Sequence, residues 1–204
     1  MNIIISGGGT GGHLFPALAI SDEIKRRYPD ANIHYIGSKF GIEKDVLPVK
    51  NVKHYLLPIR GLQRTINLEG IGKNLMLPGR LISSISKMKS LFGSINPDLV
   101  IGTGGYACAL PLREAIRKKV PTLIQEQNSY PGVTTRWFAD KANTVCIAFE
   151  EAQSYVKKKC VLTGNPVRKE INSGTRETGL KQFGFDLYKK TLFLFGGSQG
   201  SLAL

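Results

Sequence analysis

Near the N-terminus, Ile3-Ile4-Ile5-Ser6 runs straight into Gly7-Gly8-Gly9-Thr10-Gly11-Gly12-His13, and an amphipathic stretch follows. A short apolar run rich in β-branched residues predicts a buried strand over residues 2–6. Leu14, Leu18 and Ile24 recur near helical spacing and predict a helix over residues 14–28. Between them, glycines let the backbone turn sharply and bring N–H groups close to an anion. The helix start adds unpaired donors and a partial positive charge. A phosphate or diphosphate group is the expected ligand. The loop also fits the dinucleotide pattern GxGxxG through Gly7, Gly9 and Gly12, whose usual companion is an acid ending the second strand. That strand, residues 32–36, continues into Gly37-Ser38 without one. The ending argues against a nicotinamide- or flavin-dependent oxidoreductase.

The rest of the chain alternates in the same way. Strands are predicted at 52–56, 98–101, 121–125, 144–147 and 160–162. Helices are predicted at 107–118 and, with an interruption near Pro78-Gly79, across 67–92. Apolar strands alternating with helices predict an α/β fold with a parallel sheet covered on both faces. Such sheets bind ligands at the C-terminal edge of their strands. Two further loops belong at that edge, Gly102-Thr103-Gly104-Gly105-Tyr106 and Glu126-Gln127-Asn128. His13, beside the first loop, is a catalytic or a structural residue on this reading. Glu126 is a site contact or an orienter of its neighbours.

Residues 163–168, Thr-Gly-Asn-Pro-Val-Arg, read as a linker between a domain at 1–162 and a new unit at 169–204. A helix near 176–183, a strand at 191–195 and the turn Gly196-Gly197-Ser198-Gln199-Gly200 open that unit. One strand buries no core, so the unit is expected to be the incomplete start of a second domain. No run approaches the roughly 18 apolar residues of a membrane span, and the start lacks a secretory leader pattern. A cytosolic protein is expected. Three well-separated cysteines are expected to be reduced packing residues. The formal net charge is +13, and residues 50–119 hold 12 Lys or Arg against 3 Asp or Glu. No nucleic-acid module accompanies this excess, so nucleic acid is not an expected partner.

Taken together, residues 8–17 (Gly-Gly-Thr-Gly-Gly-His-Leu-Phe-Pro-Ala), 102–106, 126–128, 163–168 and 196–200 resemble the MurG family of peptidoglycan transferases. The resemblance spans nearly the whole chain. It implies a GT-B fold, a Rossmann-like N-terminal domain facing a second such domain, here only begun. It implies an inverting glycosyltransferase that moves N-acetylglucosamine from UDP-N-acetylglucosamine to undecaprenyl-pyrophosphoryl-N-acetylmuramoyl-pentapeptide. It further implies His13 as general base and Glu126 as acceptor contact or orienter. Thr10, Gly11 and Gly12 would meet the donor or the acceptor diphosphate, Asn128, Arg168, Ser198 and Gln199 the donor, and Gly104, Gly105 and Tyr106 the acceptor. Gln125 departs from the family's usual His and Thr135 from its usual Asn. An imidazole suits proton removal from the acceptor hydroxyl, and helix N-termini with Arg168 suit a departing diphosphate. Neither a cofactor nor a metal is expected, and no Asp-x-Asp occurs.

The resemblance gives the basic excess a partner, the anionic cytoplasmic face of the cell membrane. Leu75, Met76, Leu77, Arg80, Leu81 and Ile82 mix apolar and cationic residues and would dip into the interface, while Lys73, Arg80, Lys87 and Lys89 meet headgroups. The alternative is a core helix with a solvated basic face. For the chain as a whole, the rival to a transferase is a non-catalytic acceptor- or membrane-binding module served by a separate donor-binding chain. Little or no turnover is expected of these 204 residues alone.

Overall fold

The computed structural model describes residues 1–61 and 76–194. Contacts divide the chain into two compact units, Met1–Pro166 and Val167–Leu204. The first unit is built on a parallel sheet of seven strands: β1 (Asn2–Ser6), β2 (Asn32–Ser38), β3 (His54–Leu57), β4 (Leu99–Gly102), β5 (Thr122–Glu126), β6 (Thr144–Ile147) and β7 (Val161–Leu162). Their order is β3-β2-β1-β4-β5-β6-β7. The chain therefore steps outward from β1 through β2 and β3, then returns to the other side of β1 with β4. Ser6 stands level with Ile36 of β2 and with Gly102 of β4. That reversal is the topological switch point, where loops leave β1 and β4 toward opposite faces and open a crevice.

Side-chain alternation along each strand builds the two faces. Ile3 and Ile5 pack with Tyr35, Ile101 and with Leu14, Ala17 and Leu18 of helix α1 (Gly11–Arg27). Leu47 of the short helix α2 (Glu43–Val49) joins that side. Ile4, Ile36, Val100, Ile124 and Val145 form the other layer. It is covered by Met88, Phe92 and Ile95 of helix α3 (Leu77–Ile95) and by Leu110, Leu112 and Ala115 of helix α4 (Ala109–Arg117). Helix α5 (Val133–Phe138) follows β5.

Several boundaries differ from the sequence expectations. Helix α1 begins three residues early, so Gly11, Gly12 and His13 are its first turn. Pro78 and Gly79 do not interrupt a helix: they lie in the first turn of α3, where proline's missing N–H has no partner to lose. The part of the expected helix before residue 76 lies outside the described residues. Strand β3 starts two residues later than expected, and the helix after β4 opens as a 3₁₀ turn, Tyr106–Cys108. In the second unit, helix α6 (Arg176–Phe183) is held by reciprocal bonds between Thr175 and Thr178, and Gly184 ends it at φ 68°. Thr191 to Leu194 form no strand, and Phe195 lies outside the described residues.

One buried group makes the fold sensitive to acid. His34 of β2 is 6% exposed, stacks on Tyr55 at 6.0 Å, and its Nδ1 has no partner. Burial, then the charge of Lys53, holds its imidazole below the ordinary histidine range. The unfolded chain then binds the proton more readily than the folded one. Stability is full above the unfolded value of about 6.5 and falls as the pH drops below it. A urea midpoint lower at pH 5.5 than at pH 7.5 is expected, with a smaller difference in His34→Phe.

Candidate active site

At the switch point the loops after β1 and β4 are joined to each other. Gly8 N–H donates to Gly104 O at 3.4 Å, and Thr103 N–H to Ser6 O at 2.9 Å. Thr103 Oγ1 donates to His13 O at 2.8 Å. The buried Ser6 hydroxyl donates to Ile36 O at 2.6 Å, and the Tyr35 hydroxyl to Gly7 O. Burial and the Glu43 carboxylate push the Tyr35 phenol well above its usual range, so it stays a donor. Gly105 has φ 75°, and a Cβ there would strike Gly8 O. Only glycine allows both the conformation and the approach.

Glu43, at the start of α2, is fully buried against the first loop. Its Oε2 accepts from Gly9 N–H at 3.0 Å and its Oε1 from Ser38 N–H at 3.1 Å. A Cβ on Gly8 would collide with it. The sequence reading finds no acid at the end of β2, yet a carboxylate five residues on reaches back to the loop. It engages the Gly9 N–H, and Gly104 O engages that of Gly8. The first-turn N–H groups of Gly11 and Gly12 have no intrahelical acceptor. The anion-binding part of the expected cradle thus contracts to Thr10, Gly11 and Gly12.

His13 is half-buried at the end of this turn. Its Nδ1 lies 3.1 Å from Thr103 O and 2.9 Å from Gln127 Oε1, two acceptors. The surrounding network therefore assigns the proton to Nδ1 and leaves the Nε2 lone pair available in the neutral ring. Gly104 lies beneath the ring: a Cβ there would stand 2.7 Å from Nδ1.

The loop after β5 is organised by Glu126, which is 2% exposed. Oε1 accepts from Asn128 N–H at 3.1 Å and Asn128 Nδ2 at 2.9 Å. Oε2 accepts from Gly132 N–H at 3.1 Å and the Thr135 hydroxyl at 2.5 Å. Four donors from its own chain saturate this carboxylate, so it orients residues 128–135, and Asn128 is held with its amide nitrogen turned inward. Tyr106 packs against Gly9 and Gly61, and its hydroxyl donates to Ser38 Oγ at 3.3 Å. Burial pushes that phenol up as well. Tyr106 therefore ties the β4 loop to the end of β2.

Thus Thr10, Gly11, Gly12, His13, Gly104, Gly105 and Tyr106 come together at the switch point, and Gln127 joins them to the β5 loop that carries Glu126 and Asn128. Arg168 belongs to the second unit and is exposed. Ser198 and Gln199 lie outside the described residues. Glu43 is the partner that sequence reasoning missed, and Thr103 and Gln127, placed at this edge with their loops, have no role of their own in that reading. The Gly37-x-x-x-Gly41 spacing just before Glu43 carried a signal, since both glycines make room for its side chain.

The chain is similar to known proteins. The model of the glycosyltransferase family 28 N-terminal domain matches residues 3–147. A Bacillus pumilus protein is 43% identical over 202 residues, 98% of this chain and 54% of its own length. A Bacillus subtilis protein is 41% identical over 202 residues, with the same coverage. Both are named UDP-N-acetylglucosamine--N-acetylmuramyl-(pentapeptide) pyrophosphoryl-undecaprenol N-acetylglucosamine transferase. The crystal structure of Acinetobacter baumannii MurG superposes with a TM-score of 0.64 at 25% identity, covering 81% of this chain and 46% of that one. The UDP-GlcNAc 2-epimerase of Neisseria meningitidis shares the fold at a TM-score of 0.56 and 15% identity, covering 81% and 46%. The chain spans about half the length of the curated relatives it matches. With the domain model matched from the first strand to the sixth, the chain belongs to glycosyltransferase family 28.

Proposed function

We propose that this chain forms the acceptor-side half of an inverting transferase that moves N-acetylglucosamine from UDP-N-acetylglucosamine to undecaprenyl-pyrophosphoryl-N-acetylmuramoyl-pentapeptide. The relatives' shared name supplies the substrates, and the geometry around His13 carries the reading. An imidazole with Nδ1 committed and Nε2 open stands beside a helix start where the Gly11 and Gly12 N–H groups have no intrahelical acceptor. His13 Nε2 takes the proton of the acceptor hydroxyl as that oxygen attacks the anomeric carbon. The bond to UDP breaks from the opposite side, inverting the centre, and UDP departs as an anion. The first turn of α1 holds the acceptor's diphosphate, and Arg168 is the proposed cation for the departing UDP. Resonances of Gly11 and Gly12 should shift when a short-prenyl diphosphate-linked muramoyl pentapeptide is added, and stay put with NAD. Unmoved Gly11 and Gly12 signals at saturating acceptor would sink this reading.

The acceptor's lipid calls for a membrane surface, and the start of α3 is the proposed contact. Met76, Leu81 and Ile82 are 51%, 45% and 69% exposed. Lys87 and Lys89 are exposed on the same helix. Arg80 stacks on the exposed Phe40 ring at 4.8 Å, and Arg60 lies over that ring at 5.4 Å. Arg80 therefore presents a cation–aromatic pair to the interface, in place of the free headgroup contact expected from sequence. Leu77 is half-buried, and Leu75 and Lys73 lie outside the described residues. No described helix is long and apolar enough to cross a membrane. Changing Met76, Leu81 and Ile82 to Ser should weaken binding to anionic-lipid vesicles by about tenfold or more. Equal vesicle binding by a folded triple variant would assign these residues another role.

A further inference from the structure

We propose that Gln127 is a positioning residue that fixes His13 as the Nδ1–H tautomer, and that Gln125 locks Gln127 from the linker side. The proposal rests on the reading of His13 as the base, because only that tautomer leaves Nε2 able to accept a proton.

The hydrogen bonds run in one direction. Gln125 is 2% exposed, and its Nε2 donates to Glu126 O at 3.2 Å and to Gly164 O at 3.4 Å. Its amide nitrogen is thereby turned away from Gln127, and its oxygen faces Gln127. The two hydrogens of Gln127 Nε2 are shared among that oxygen, Gln125 O at 3.0 Å and Thr103 O at 2.8 Å. Three oxygens surround this nitrogen, so a flipped amide would set its own oxygen against all three. Gln127 Oε1 is left pointing at His13 Nδ1, 2.9 Å away. An oxygen at that position requires a hydrogen on Nδ1. Each amide thus has one permitted orientation, dictated by the group before it, and the series starts at a backbone carbonyl. Asn165 Nδ2 adds a bond to Gln127 O at 3.4 Å. Gly164, at φ 73°, and Asn165 lie in the segment that leaves β7 for the second unit. A change in that segment would reach the imidazole through two side chains, with no other element needed.

The test is the ring nitrogen spectrum of this chain labelled with ¹⁵N-histidine, at a pH where the imidazoles are neutral. There are 3 histidines, so His34 and His54 report on the fold in the same spectrum. In the parent, His13 should show a protonated-type Nδ1 and an unprotonated-type Nε2. In Gln127→Leu both His13 nitrogens should move toward averaged positions while His34 and His54 hold theirs. Gln127→Asn, one methylene shorter, should do the same if the leucine variant fails to fold. An unmoved His13 pair in Gln127→Leu or Gln127→Asn would overturn the proposal, since the Thr103 carbonyl would then suffice alone. The readout needs no turnover. A His13→Ala enzyme that still transfers sugar would remove the base reading and leave the tautomer result standing.

Discussion

Glu126→Ala lowers the stability of the first unit by about 3–5 kcal/mol, a fall of roughly 10 °C in melting temperature for a chain of this size. Four donors converge on this carboxylate: two from Asn128, one from Gly132 and the Thr135 hydroxyl. Alanine removes every acceptor at once and leaves a space at the end of β5. A buried donor without a partner costs about 1–3 kcal/mol, and water entering the new space recovers part of that. Glu126→Gln keeps the volume and one oxygen, so it loses one side of the arrangement and about half the stability. Thermal unfolding of the two variants separates these outcomes. A melting temperature unchanged in Glu126→Ala would mean that the loop holds its shape without the carboxylate. The site should suffer further than the fold: Asn128, an expected donor contact, and helix α5 lose their common anchor, so ligand binding at this edge weakens even in samples that stay folded.

What the sequence makes legible is local. Gly7 to Gly12 after Ile3-Ile4-Ile5 announce a strand, a turn and a helix because each step depends only on its neighbours. The second turn, at Gly104-Gly105, is legible for the same reason. The strand order places both turns at one switch point, as expected of a parallel sheet. The partners of those turns are not legible. Glu43 sits in a polar stretch and starts a short helix that contains Pro48, so propensity does not mark it and only the preceding Gly37 and Gly41 hint at it. Its burial is decided by loops from β1 and β2 closing over it. Gln127 likewise looks like an ordinary loop amide, and its contact with His13 spans 114 positions. Helix α5 escapes sequence reading because Glu126 fixes its approach from outside it. Pro78-Gly79 misleads in the opposite direction, since a proline that would interrupt a helix also starts one well.

His13→Ala reduces sugar transfer by about 10²–10⁴-fold with little change in acceptor affinity, the range for loss of a general base. The measurement joins residues 1–166 to the remaining half of the Bacillus subtilis relative and compares parent and variant in that context. Affinity is spared because the expected diphosphate contacts are backbone N–H groups of Gly11 and Gly12, which the substitution leaves in place. The fold is spared because His13 is only half-buried, and the turn keeps the bonds of Gly8 and Thr103. The vacated space keeps the Gly104 surface and both Nδ1 acceptors, Thr103 O and Gln127 Oε1. Added imidazole therefore has a site with the right polarity and should recover part of the lost rate. A residue that merely supported the loop would give no such recovery. Transfer undiminished in His13→Ala would place the base elsewhere. Among the side chains at this edge Glu126 is already saturated by its own chain, and Tyr106 is held as a neutral donor to Ser38. The imidazole is the group whose geometry leaves a lone pair open for the acceptor's proton.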